Sequence, residues 1–149
     1  MIDAWSTGGV TEADEVARRC AKAMYAADRS SRHLGIEITD VAAGRARARM
    51  VVADTMVNGH GIAHGGYVFL LADTAFAFAC NTYEVITVAA AADVVFVAPA
   101  RAGDELVAEA VERVRFGRSG VYDVTVRRAG GEVVAEFRGN SRALRTEGR

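Results

Sequence analysis

The feature that most constrains this chain is a long apolar segment that carries a single carboxylate. Residues 65–81 are rich in Ala, Phe and Leu, and Asp73 is the only charged group among them. The segment is long enough for a helix of several turns. Because it is apolar on every side, it predicts a helix that is buried all round. The simplest fold that buries such a helix wraps a β-sheet around it.

Alternating hydrophobic and polar residues predict β-strands on both sides of this helix. The second strand before the helix carries arginines on one face, which we expect to be solvated. Gly130 and Gly131 predict a hairpin turn between the last two strands. The expected strands lie within residues 33–41, 44–52, 85–99, 104–116, 120–129 and 131–143.

Near the N-terminus, Thr11 is typical of a helix N-cap and is followed by acidic residues. The helix that it begins should end near Asp28, before the polar sequence DRSSR. We therefore expect one α+β domain over residues 1–149, in which a five- to six-stranded antiparallel sheet wraps a long central helix. Residues 1–30 would form a short N-terminal helical extension.

Composition and charge argue against several classes of function. Eighteen basic and nineteen acidic residues give a net charge of −1 without a charged tail, so nucleic-acid binding is not expected. Asp73 interrupts the best candidate for a membrane span, and the first residues lack the pattern of a signal peptide. Cys20 and Cys80 fit reduced thiols, which predicts a cytoplasmic protein.

Asp73 has two interpretations, one structural and one catalytic. An unpaired buried carboxylate must change its pKa or find hydrogen-bond donors, so Asp73 could cap a neighbouring loop or face a cleft or a second subunit. Gly65 and Gly66 stand where the helix begins, and the first N–H groups of a helix have no partner within it. Such groups can stabilise an oxygen that becomes negatively charged, so the combination favours acyl transfer.

Other chemistries are less well supported by the sequence. His60 and His64 are four residues apart, but they lie in a glycine-rich loop and no further Cys or His pair has metal-ligand spacing. A loop histidine that orients a substrate is therefore favoured over a zinc ligand. The sequence contains neither a serine nucleophile elbow nor a phosphate-binding glycine motif. Cys80 lies on nearly the same helix face as Asp73, and packing is its expected role.

One motif carries a family resemblance. The sequence NGHGIAHGGYVFLLADTAFAFACN, residues 58–81, resembles the signature of the hotdog-fold acyl-CoA thioesterases, and closely that of their phenylacetate-degradation branch. The later sequences RAGDELVAEA, GRSGVYDV and VVAEFRGNSR are similar to that branch in the same order. The resemblance implies the hotdog fold and the hydrolysis of aromatic acyl-CoA thioesters, such as hydroxyphenylacetyl-CoA, without a metal or a bound cofactor. Coenzyme A is part of the substrate.

The resemblance also implies roles for individual residues. Asp73 would be the catalytic carboxylate, acting either as a general base on water or as a nucleophile. The Gly65 N–H would polarise the thioester carbonyl, while His64 and Asn58 would position the thioester and the attacking water. Each site would take Asp73 from one chain of a homodimer and the other three residues from its partner, and pairs of dimers would form homotetramers.

Substrate-binding residues can be proposed for both ends of an acyl-CoA. Together with Asn58, the expected walls of the acyl pocket are Val57, Ile62, Tyr67 and Phe76. Candidates for contacts with the CoA phosphates are Arg118, Ser119, Arg138, Gly139, Asn140 and Ser141. Two alternatives stay open: the acyl group could be another aryl or a medium-chain fatty acyl group, or the protein could be a non-catalytic acyl-CoA sensor. A sensor would usually carry a DNA-binding helix pair, which the short N-terminal helix does not offer.

Overall fold

A computed structural model of the protein describes residues 9–145 and shows helices and strands in the predicted order. The prediction of a helix that begins after Thr11 and ends before Asp28 is confirmed. The elements are α1 (Glu12–Ala27), α2 (Arg29–His33), β1 (Glu37–Ala42), β2 (Arg45–Val51), a 3₁₀ turn (Asp54–Met56), α3 (Gly65–Cys80), β3 (Thr87–Phe96), β4 (Glu105–Phe116), β5 (Ser119–Arg128) and β6 (Val133–Ala143). None of the helices in this part of the chain is long and apolar enough to cross a membrane.

The strands form one antiparallel sheet in the order β1-β2-β4-β5-β6-β3. The sheet curls around α3, which contacts all six strands. α1 packs against β1 at one edge of the sheet, whereas β3 forms the other edge and is exposed along most of its length. The expected α+β fold, a long helix wrapped by an antiparallel sheet, is confirmed with six strands.

The interior is built from alternating inward-facing residues of the strands and one side of α3. Phe76 of α3 is 1% exposed, and its ring centroid lies 5.5 Å from that of Tyr122 and 5.8 Å from that of Phe137. Gly139 of β6 passes so close to this ring that an added Cβ would lie 2.8 Å from three of its atoms. Burying a large apolar side chain of this kind contributes about 1.5–3 kcal/mol. These contacts fix the helix, and so Asp73, relative to the sheet.

The capping residue of α1 also ties the helix to the sheet. The Thr11 hydroxyl accepts the Asp14 N–H, and Asp14 Oδ2 accepts the Thr11 N–H. Asp14 Oδ1 in addition accepts the N–H of Ala43 at 3.1 Å, in the turn between β1 and β2. These hydrogen bonds, that to Ala43 foremost, lower the pKa of Asp14. The charged form of Asp14 therefore holds α1 on the turn.

Helix α2 is not predicted by the sequence, because DRSSR is polar and shows no hydrophobic periodicity. Asp28 caps it, since its side chain accepts the Ser31 N–H at 2.9 Å and the Ser31 hydroxyl at 2.7 Å. Ser31 is buried as a result. A short helix of this kind depends on its cap rather than on hydrophobic periodicity, which is why the pattern did not reveal it.

The outer face of β2 differs from the solvated face that was predicted. Arg47 and Arg49 are half-buried and lie beside acidic residues of neighbouring strands. Arg49 bonds Glu105 at 2.7 Å and Glu37 at 3.0 Å, and Arg47 lies 3.4 Å from Glu109. The arginine face is thus an ion-paired surface, because acids on β1 and β4 stand opposite it in the antiparallel register.

The prediction that α3 is buried all round is wrong for the single chain. The side of the helix that faces the sheet is buried, as at Leu71 and Phe78, whereas Leu70, Asp73 and Ala77 are only half-buried. The sheet of one chain covers one side of the helix and leaves a stripe around Asp73 partly open. Hydrophobicity alone does not say whether such a stripe is covered by the same chain or by another surface.

Candidate active site

The loop before α3 is organised by the side chain of Asn58. Its Oδ1 accepts the N–H of His60 at 2.9 Å and that of Ile62 at 3.4 Å, while its backbone N–H donates to the Ile62 carbonyl at 2.8 Å. Gly61 completes the turn with a φ of 75°, which favours glycine. Within residues 9–145 the Nδ2 amide of Asn58 donates no hydrogen bond. It is therefore available to a substrate or to a water.

His64 is the N-cap of α3, and this role fixes its tautomer. Nδ1 accepts the Gly66 N–H at 2.9 Å, and Tyr67 packs edge-on with its ring centroid 6.4 Å from the imidazole. Because the Nδ1 lone pair is used, the neutral ring carries its proton on Nε2. The exposed imidazole therefore presents an N–H donor rather than a base at its free nitrogen.

Gly65, the first residue of α3, provides an unengaged backbone N–H. This N–H has no acceptor among the described residues, and it lies at the positive end of the helix dipole. The ring of Phe96 lies against Gly65, so that an added Cβ would stand 2.9 Å from Phe96 Cζ. A side chain at this position would meet the Phe96 ring, whereas glycine lets a ligand approach the backbone closely. The arrangement suits an oxygen that gains negative charge.

Asp73 is a half-buried carboxylate without a partner in the described part of the chain. It accepts no hydrogen bond and forms no ion pair with residues 9–145, and burial raises its pKa. It lies eight residues after Gly65 on the same helix, which places the two backbones about 12 Å apart. The single chain therefore brings Asn58, His64 and Gly65 together and leaves Asp73 apart from them.

A cavity of about 530 Å³ opens beside Gly65 and contains part of the predicted acyl pocket. Of the predicted walls, Asn58 and Ile62 line it. Val57 is half-buried in a bridge to Ala63, and Tyr67 packs on His64. The cavity is otherwise lined by apolar groups that sequence reasoning missed, chiefly Val68, Phe96, Val97, Pro99 and Val134.

Phe76 does not line this cavity, although it was predicted as a pocket wall. Its ring is enclosed by Tyr122, Phe137 and the backbone of Gly139. The helical spacing that places it near Asp73 also turns its ring toward the sheet. Phe76 is a core residue of this chain.

The residues predicted to contact CoA phosphates divide between different surfaces. Arg138 lies on the outer face of the sheet and bonds Asp123 at 2.6 and 3.0 Å, which raises the pKa of Arg138. Asn140 shares that exposed face, whereas Gly139 and Ser141 are buried. Their alternation follows from the two-residue period of a strand. These four residues therefore do not form one site.

Arg118 and Ser119 instead lie next to arginines that sequence reasoning missed. Ser119 pairs with Arg142 across β5 and β6, and partial desolvation and the charges of Arg145 and Arg142 lower the pKa of Arg118. Arg118 and Arg145 line a groove of about 480 Å³. The signal that could have revealed this cluster is the antiparallel pairing of the last two strands, which sets residue 119 opposite residue 142 and so brings Arg118 near Arg142.

Comparison with known proteins decides the family. The model of the thioesterase superfamily matches residues 60–135. This chain belongs to the thioesterase superfamily. Over 124 residues it is 43% identical to the acyl-coenzyme A thioesterase PaaI of Escherichia coli K12, covering 83% of this chain and 89% of that protein. The family, the enzyme class and the hotdog fold that the resemblance implied are confirmed.

Solved structures support the same assignment. The E. coli PaaI protein from the phenylacetic acid degradation operon superposes on this thioesterase with a TM-score of 0.88 at 40% identity, covering 90% of this chain and 97% of that one. A mutant of the phenylacetic acid degradation protein PaaI from Thermus thermophilus gives a TM-score of 0.75 at 35% identity, with coverages of 78% and 100%. The fold is therefore shared across nearly the full length of these relatives' chains.

Two further groups bear on the chemistry of this thioesterase. Cys80 is buried, and burial, followed by the charge of Asp73, raises the pKa of its thiol to about 12. A neutral, enclosed thiol is a poor nucleophile, which agrees with a packing role. In the part of the chain that the structure describes, no group of three or more His, Cys, Asp or Glu side chains is placed to hold a metal ion. The histidine pair His60 and His64 therefore has no third ligand there.

Proposed function

We propose that this thioesterase hydrolyses aromatic acyl-CoA thioesters, such as hydroxyphenylacetyl-CoA, to the free acid and CoA. The observation that carries the proposal is the pairing of two features on one helix: a free N-terminal amide beside an apolar cavity, and a half-buried carboxylate without a partner in the described part of the chain. The similarity to a protein named as an acyl-coenzyme A thioesterase supports the choice of thioester.

The geometry suggests a separate role for each residue in thioester hydrolysis. The thioester carbonyl would accept a hydrogen bond from the Gly65 N–H, which stabilises the negative charge as the carbon is attacked. His64 Nε2–H and Asn58 Nδ2 would donate to the thioester or to the attacking water. Asp73 would either take a proton from that water or attack the carbonyl to form an anhydride that water then opens. In both routes the C–S bond breaks, and the CoA thiolate leaves and is protonated.

The separation of Asp73 from Gly65 supports a site shared by two chains. β3 is an edge strand with unpaired backbone groups and exposed apolar side chains, among them Val88 and Val95. Such an edge is suited to pairing with a second copy, and a twofold axis would join the two sheets. The open stripe of α3 would then face the partner, so that Asp73 of each chain meets the Gly65 amide of the other. Pairs of these dimers would form the homotetramer.

The arginine cluster of Arg118, Arg142 and Arg145 is our proposed site for the CoA phosphates. Arg118 and Arg145 line the groove, and the charge of Arg142 acts on Arg118, so the cluster offers several charged donors to phosphate oxygens. Ser119, which pairs with Arg142, would add a hydroxyl. Arg138 is left out because it is already paired with Asp123 on the outer face of the sheet.

The proposal is tested by measuring hydrolysis of a panel of acyl-CoA thioesters by the purified protein and its Asp73→Asn variant. Loss of a general base or nucleophile should lower kcat by ~10²–10⁴. Asp40→Asn is the matched control. Asp40 is also a half-buried carboxylate, but it lies on β1, at the edge of the sheet opposite to β3. A folded Asp73→Asn variant with the wild-type rate would contradict the catalytic role. A wild-type protein that bound acyl-CoA without hydrolysing it would favour the sensor.

A further inference from the structure

Phe96 is an exposed aromatic residue that touches the catalytic loop. It is the last residue of β3, and 54% of it is exposed. The outer edge of its ring reaches Gly65, since an added Cβ there would lie 2.9 Å from Cζ and 3.2 Å from Cε1. Val95 and Val97 beside Phe96 are also exposed, and exposed apolar groups that cluster in this way mark ligand or partner sites.

The ring of Phe96 also forms one side of the cavity beside Gly65. Ile62 comes from the loop before α3, Val97 and Pro99 come from the segment that follows β3, and Val134 comes from β6. Among the described residues that line the cavity, Asn58 alone has a polar side chain. The cavity therefore offers apolar walls with the free N–H of Gly65 at its side.

We propose that Phe96 determines the acyl specificity of this thioesterase, as the wall on which the planar ring of an aromatic acyl group packs while its carbonyl meets the Gly65 amide. This inference rests on the proposed function and extends it to a residue outside the catalytic set. A thioester whose carbonyl oxygen reaches the Gly65 N–H places its acyl group within contact of the Phe96 ring. Aromatic rings pack edge-to-face or offset against one another, and a flexible chain gains less from such a wall.

The test compares Phe96→Ala with wild type on phenylacetyl-CoA and hexanoyl-CoA, which carry acyl groups of similar size. The ratio of kcat/KM for the aromatic over the straight-chain thioester should fall roughly 3- to 10-fold, the range expected for one aromatic contact. Phe96→Tyr should keep the ratio within about twofold of wild type, because the ring is retained. Phe116→Ala is the matched control. Phe116 is 58% exposed, ends β4 and lies outside this cavity.

A second measurement tests the contact with Gly65 itself. Gly65→Ala should lower kcat/KM strongly in the wild-type background, since its methyl group collides with the ring, and less strongly when Phe96 is Ala. Sedimentation of each variant checks that its assembly matches wild type.

The outcomes separate the two proposals. If the wild-type protein hydrolyses neither thioester, the proposed function fails. If it hydrolyses both, while Phe96→Ala lowers the two kcat/KM values by the same factor in a correctly assembled protein, the specificity role of Phe96 is overturned and the proposed function stands. If the effects of Gly65→Ala and Phe96→Ala on kcat/KM were additive, the role of Phe96 beside Gly65 would also be overturned.

Discussion

Replacing Asp73 by Asn should make the folded protein more stable at neutral pH while it removes activity. Burial raises the pKa of Asp73 above its ordinary value of 3.8, so the native carboxyl holds its proton more tightly than the unfolded chain does. Between 3.8 and the raised pKa, the native state binds more protons than the unfolded state. The free energy of unfolding therefore falls as the pH rises through this window, and the deficit persists at pH 7.

The size of the effect follows from the partial burial of Asp73. Burying a polar group without a hydrogen bond costs about 1–3 kcal/mol in mutational data. Because solvent still reaches Asp73 and screens its charge, we take the lower end, about 1 kcal/mol. For a chain of this length, 1 kcal/mol corresponds to a shift in Tm of about 2–4 °C. Asp73→Asn should therefore unfold at a higher temperature than wild type at pH 7, and the difference should vanish below the ordinary pKa.

Asp123→Asn provides a control of opposite sign. The hydrogen bonds and charge of Arg138 lower the pKa of Asp123, and Arg113 lies 2.9 Å away. Its contribution to stability is present above pH 3.8 and is lost as the pH falls through the lowered pKa. Asp123→Asn should thus destabilise at pH 7, and only slightly, because surface ion pairs contribute little. Thermal unfolding at fixed protein concentration and several pH values measures both. An Asp73→Asn variant that is less stable than wild type at pH 7 would refute the reasoning.

Three further predictions concern the assembled enzyme and its substrate. Refolding equal amounts of inactive Asp73→Asn and His64→Ala chains together should restore about a quarter of wild-type activity. Half of the randomly paired dimers are mixed, and each mixed dimer holds one intact site of two. If mass spectrometry shows mixed dimers but no activity returns, the sites are not shared. Hydroxyphenylacetyl-CoA should exceed phenylacetyl-CoA and medium-chain acyl-CoA in kcat/KM in competition assays, since a polar partner for the ring hydroxyl discriminates sharply; preference for the straight chain would remove the aromatic assignment. Arg118→Gln should raise KM about two- to fivefold for an acyl-CoA. The KM of the matching acyl-pantetheine, which lacks the CoA phosphates, should stay unchanged. An equal rise for both thioesters would show that Arg118 does not bind the phosphates.

Local patterns predicted the elements of the fold because each element obeys its own periodicity. Residues of β5 alternate between the core and the surface, and α3 is apolar for nearly its whole length, so both could be recognised without knowing their neighbours. The hypothesis that Asp73 and Gly65 take part in chemistry has a similar local basis. A charge in an apolar helix and a glycine at its start are both local departures from what packing alone would select.

Features that depend on distant pairing could not be predicted in this way. Phe96 reaches Gly65 only because β3 runs antiparallel to β6 at the edge of the sheet. Arg138 and Arg142 lie on the same strand, yet Arg138 pairs with Asp123 whereas Arg142 joins Arg118, a difference set by the register with β5. The partial exposure of the α3 stripe around Asp73 likewise depends on how far the sheet curls around the helix. The sequence pattern of the helix does not indicate this.

The close approach of Gly139 to the ring of Phe76 restricts the order in which this protein can change its sequence. Adding a methyl group at Gly139 first would force apart a ring held between Tyr122 and Phe137, at about 1–3 kcal/mol for an overpacked core. Shortening Phe76 to Leu first would leave a void, which a later methyl group at position 139 could fill. The two substitutions are therefore coupled. A lineage that acquires a side chain at position 139 would be expected to have lost the aromatic ring at position 76 before it.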